Sequence, residues 1–177
     1  MKHGGKLAIL VIILVAAALG SFGWVWQLTQ GRKARAAWGT ENSMAIRYGD
    51  RAELSRLTAE APAEGESTRL ELGDATVYAT DRRVVSPGGD LRYYRQALVD
   101  DYAFDWEKPV ANTPPEWTHA LEFNDETTTC TLAFDFSRNV VRLVDTGREL
   151  HLEKLTAEKL EEFLDEQFQE EDAAVNP

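Results

Sequence analysis

The chain has 177 residues and a formal net charge of −11 that is unevenly divided: residues 1–40 hold five bases and no acid, whereas residues 41–177 hold fourteen bases and all thirty acids, a net of −16. A surface this acidic repels a phosphate backbone and anionic lipid headgroups alike, so no nucleic-acid partner is expected and the domain is expected to stand away from the bilayer surface. The single cysteine, Cys130, excludes an intrachain disulfide and any paired-cysteine zinc or redox site.

Residues 1–6 form a basic leader with Lys2 and Lys6. From Leu7 to Trp26 the chain then runs twenty residues without a charge, and Ser21 is its one plainly polar member. A helix needs roughly 20 apolar residues to cross about 30 Å of hydrocarbon, and it satisfies its own backbone polar groups there. A transmembrane helix is therefore predicted over residues 7–28, with the lipid bilayer as its partner. The competing reading is a cleaved signal peptide, for which Ala16-Ala17-Ala18 fits the cleavage pattern. Against it, the apolar run continues through Leu19, Phe22 and Val25, and Trp24 and Trp26 stand where interfacial aromatics anchor a span. An uncleaved anchor is favoured.

Arg32, Lys33 and Arg35 follow the span and nearly balance the leader, so flanking charge hardly sets the orientation. The basic leader tips the expectation towards an extracytoplasmic domain, on the periplasmic or extracellular side of the membrane. Residues 29–42 read as a juxtamembrane linker whose bases suit anionic headgroups.

One α+β domain, an antiparallel sheet with helices packed on one side, is expected over residues 43–170. Met44, Ile46 and Tyr48 alternate as a first strand would. Asp50, with Glu53 three residues on, predicts a short helix edged by Leu54 and Leu57. Residues 60–67 are a loop by composition. Short strands are predicted at 69–72 and 75–79 around a Gly73-Asp74 turn, with a second turn at 80–82 before Val84-Val85. Asp90 is placed as the cap of a helix carrying Leu91, Tyr94 and Leu98 on one face. Prolines 109, 114 and 115 rule out regular structure for most of 102–117.

The last sixty residues carry the clearest pattern. Strands at 118–123, 127–136, 140–144 and 148–152, separated by two- or three-residue turns, predict a four-stranded antiparallel meander. Cys130, Leu132, Phe134 and Phe136 share one parity, which predicts a buried, inert thiol, one covered face and one wet face. Thr156 is placed as the cap of a final helix with Leu160, Phe163, Leu164 and Phe168 on its core side, and residues 171–177 as a disordered acidic tail.

Motifs for catalysis are missing: there is no glycine-rich phosphate loop, no HExxH and no G-x-S-x-G elbow. His151 and Glu153 share strand parity, but two ligands are too few for a metal site, so neither metal nor cofactor is expected. Thirty acids offer so many carboxylate pairs that none stands out. What does stand out is a run of aromatics beside the prolines: Tyr93 with Tyr94, Tyr102, Phe104, Trp106 and Trp117. The last five are the candidate residues for a groove that takes a peptide or a sugar. The competing reading puts them in the core beneath the helix. The expected function is a single-pass membrane-anchored protein whose acidic domain is a non-catalytic interaction or accessory module for a membrane-protein partner. The alternative is an envelope hydrolase using carboxylates.

Overall fold

The structure is a computed structural model that describes residues 12, 13, 15, 20, 21, 31–62, 67–86, 88–109 and 113–175, apart from the side chains of 170–175. The span predicted over 7–28 thus lies mostly outside the described residues. Ile12, Ile13 and Val15 within it are helical and exposed. Among the described residues no helix is long and apolar enough to cross a membrane.

The stretch expected to be a linker and then a strand is two short helices, α1 (Arg32–Trp38) and α2 (Thr40–Tyr48). The helical period was present in Ala34, Ala37 and Trp38, all buried, and Ile46 continues it. The Met44, Ile46, Tyr48 alternation was coincidental, since Ile46 is buried while Met44 and Tyr48 are exposed. Gly39 joins the two helices at φ 83°, a conformation that costs glycine little.

Residues expected as a helix behind Asp50 form strand β1 (Arg51–Thr58). Three residues apart, Leu54 and Leu57 would share a helix face, but in a strand they point to opposite sides, and here each side has its own core. Strands β2 (Thr68–Leu72) and β3 (Ala75–Val85) pair as the predicted hairpin. The turn expected at 80–82 is instead a bulge within β3, where Asp81 takes φ 48° and the register against β1 shifts between Leu54 and Arg56. The bulge reverses side-chain parity, so Val77 and Ala79 face one core and Val85 the other.

Helix α3 (Asp90–Ala97) forms where predicted, but Asp90 is its first residue and not its cap, a position that Gly89 takes without a side-chain hydrogen bond. A single 3₁₀ turn (Asp101–Ala103) follows. The meander is present as β4 (His119–Asn124), β5 (Thr129–Asp135), β6 (Val140–Leu143) and β7 (Arg148–His151). Helix α4 (Lys154–Val175) starts two residues ahead of Thr156 and runs on into the stretch expected to be a disordered tail.

All seven strands join one antiparallel sheet in the order β2-β3-β1-β4-β5-β6-β7. The helices cover one face, where Trp38, Ile46, Leu98, Phe104 and Leu160 meet Leu121, Leu132 and Phe134. The other face is not wet as expected. There the sheet curls on itself, bringing Leu57, Leu72, Val77, Trp117, Ala133 and Val140 into a second, smaller core. The curl carries the β2–β3 turn to β6, so that a Cβ built on Gly73 would lie 3.2 Å from the Arg142 guanidinium.

Candidate functional site

Helix α3 divides the exposed aromatic surface of the molecule. Its inward residues Leu91 and Ala97 are buried, which leaves Arg92 and Tyr93 facing outward and Tyr94 at the boundary. One buried residue of α3 fixes it to α2. The Arg95 guanidinium donates to the carbonyls of Ile46 (2.5 Å), Ala45 (3.2 Å) and Gly49 (2.6 Å) and lies over the Phe123 ring. A cation at the negative end of α2 satisfies carbonyls that have no partner within the helix. Burial lowers the pKa of Arg95, with Asp50 opposing that shift.

Between α3, the 3₁₀ turn and the start of α4 lies a groove of about 520 Å³ lined by Tyr93, Tyr94, Tyr102, Glu153, Leu155 and Lys159 among others. Tyr94 stacks on Phe163 with ring centroids 4.8 Å apart and donates its hydroxyl to the Lys159 carbonyl at 2.9 Å. Tyr93 meets it edge-on. Tyr102 and Leu155 stand 55% and 69% exposed, which leaves apolar surface unclaimed by the core. Burial, followed by the nearby Asp90 for Tyr94 and Asp100 for Tyr102, raises both phenol pKa values, so each keeps its proton as a hydrogen-bond donor. The chemistry on offer is aromatic stacking with a few polar groups around it, which suits binding. Among the described residues of the lining, Glu153 is the carboxylate.

The five candidates from the sequence therefore separate. Tyr94 and Tyr102 line this groove. Phe104 is buried against Trp38 and bridges to Leu152. Trp106 is half-buried beside Phe104 and donates its indole N–H to the Asp101 carbonyl at 2.8 Å, with Lys33 over its ring. Trp117 is buried in the second core on the far face of the sheet. His151 and Glu153 also part company: His151 is buried against the Pro109 carbonyl at 3.0 Å, and Glu153 opens into the groove. Among the described residues no group of three or more His, Cys, Asp or Glu side chains is placed to hold a metal ion.

Two further clefts continue from the groove one after the other. One, about 630 Å³, is lined by Arg47, Tyr48, Arg92, Tyr93 and Gln96. The next, about 270 Å³, is lined by Arg35, Met44, Arg47, Tyr48 and Val99. Shared walls at Tyr93 and Tyr48 make the three a continuous surface on which Met44, Tyr48, Tyr93, Tyr102 and Leu155 are each at least half exposed. Sequence reasoning missed Met44, Arg47 and Tyr48 because it placed them on a strand. No protein-family model matches the chain, and no curated protein or solved structure matches it either.

Proposed function

We propose that the chain is a membrane-tethered interaction module: residues 7–28 hold it in a bilayer, and the tyrosine groove over α3 and α4 receives a segment of a membrane-protein partner. The observation that carries this reading is the continuous exposed surface of Met44, Tyr48, Tyr93, Tyr102 and Leu155. Isolated exposed apolar residues are ordinary, but a contiguous patch rimmed by polar groups marks an interaction surface. Tyrosine is well suited to it, because it supplies a large contact area at small entropic cost. The uncharged run from Leu7 to Trp26 supports the tether.

Two measurements on the full-length chain test the proposal. It should stay in the membrane pellet after alkaline carbonate extraction. A photo-crosslinking residue at Tyr102 should then form one discrete adduct with a membrane protein, while the same residue at exposed Val84 on β3 should not. Release by carbonate would contradict the tether, and identical adducts at both positions would contradict the groove.

A further inference from the structure

We infer that the face of α1–α3 bearing Arg35, Met44, Arg47, Tyr48 and Arg92 lies on the anionic headgroups of the bilayer that holds residues 7–28, an inference that rests on the tether proposed above. Chain length is the first argument. Gly31 comes three residues after the predicted span, and three extended residues reach only about 10 Å. Gly31 is packed against Val99, with room for no side chain there, since a Cβ would fall 2.4 Å from the Val99 carbonyl oxygen. The tether thus enters the domain beside the cleft walled by Val99, Arg35 and Met44. Whatever surface surrounds that point is held near the membrane.

Charge is the second argument. Among the described residues, Arg35, Arg47 and Arg92 take no part in an ion pair. The acids on the same elements are few: Glu41 on α2 and Asp90 on α3. Beyond α3, Asp100 is buried with the Gln96 amide on its carboxylate, and Asp101 accepts from the Ala34 N–H. A chain of net charge −11 therefore keeps a cationic face next to its anchor. Methionine and tyrosine among these arginines complete the match, because amphipathic side chains place apolar bodies in the interface and keep polar ends wet. An acidic protein segment would meet the same charge but would not account for the position beside the tether. Seated this way, the domain would open its tyrosine groove at headgroup level, next to any partner emerging from the bilayer.

The test uses the full-length chain with Met44→Cys, and separately Tyr48→Cys, carrying a nitroxide. Cys130 does not compete for the label, since it is buried and its thiol pKa is pushed up to about 12. Vesicles of phosphatidylcholine alone are compared with vesicles that also contain phosphatidylglycerol, and flotation confirms insertion in each. In the anionic vesicles, collisions of either nitroxide with a water-soluble nickel chelate should fall by about tenfold, while a nitroxide at Val84→Cys should not change. Adding Arg47→Glu and Arg92→Glu should restore nickel access without preventing flotation. Equal access in the two kinds of vesicle would overturn the inference while leaving the tether intact. Shielding that requires a co-purifying acidic protein would overturn it in favour of that partner. Failure to float would overturn the tether and the inference together.

Discussion

The sheet and the three helices α1–α3 hold positive charge differently. On the sheet, Arg82 lies 2.9 Å from Glu53 and 3.6 Å from Glu122, Arg142 lies 2.6 Å from Glu149, and Arg69 lies 2.6 Å from Glu71. On α1–α3 the outward arginines have no such neighbours among the described residues and stand beside exposed Met44, Tyr48 and Tyr93. Exposed pairs add little stability, but they do cancel the local field. The contrast shows that a strongly acidic chain can still present a cationic, partly apolar surface, and that the location of charge says more than its sum.

If the helical layer is a built platform, its anchors should be costly to remove. Trp38 is buried and donates its indole N–H to the Leu98 carbonyl at 2.7 Å, so Trp38→Ala should lower the unfolding free energy by about 4 kcal/mol in denaturant titration. Arg95→Leu should cost about 3 kcal/mol, because three carbonyls at the end of α2 lose a charged donor. On the sheet side, Leu72→Ala in the smaller core should cost about 2 kcal/mol, as the hairpin can partly close over the gap. That variant should leave the helical face unaltered, which would separate the two sides.

A pH effect should map to the seam between sheet and helix. His119 on β4 is buried beside Phe136 and Phe168, with its Nε2 3.3 Å from Asp165 on α4. Burial lowers its pKa below the ordinary 6.5, the attraction of Asp165 only partly opposing this and Arg56 adding to it. The unfolded chain then takes up this proton at higher pH than the folded one does. The contribution is present above pH 6.5 and is lost as pH falls through the lower folded value. His119→Gln should flatten that part of the stability–pH curve relative to the parent chain. The smallest signal concerns Cys130, which should resist alkylation in the folded protein at mildly alkaline pH and react once the chain is unfolded.

How far the fold was legible depended on whether the large apolar residues of an element keep to one face. The meander could be read because β4 to β7 alternate cleanly on the helix side, between turns rich in Asn, Asp and Gly. Strand β1 could not, because Leu54 and Leu57 serve different cores and mimic helical spacing. The buried small residues Ala120 and Ala133 gave no pattern that announced a second core. The candidate site was half legible. Of the five aromatics singled out along the chain, Tyr94 and Tyr102 line the groove. Local sequence held nothing to show that Phe104 and Trp117 would be buried on opposite faces of one sheet. Arg47 and Tyr48 escaped notice because the spacing of Met44, Ile46 and Tyr48 imitates a strand, whereas α2 is held against α3 by a contact between residues 46 and 95 that spacing along the chain does not encode.

The claim on which the account turns is that the helical face, not the sheet, is covered in the membrane. Oxidative footprinting of the full-length chain in its native membranes, and again after transfer to detergent, measures this directly. The account predicts that Met44, Tyr48 and Tyr93 are oxidised several-fold more slowly in membranes than in detergent, with Val84 on β3 unchanged. Equal oxidation of all four residues in both states would contradict it.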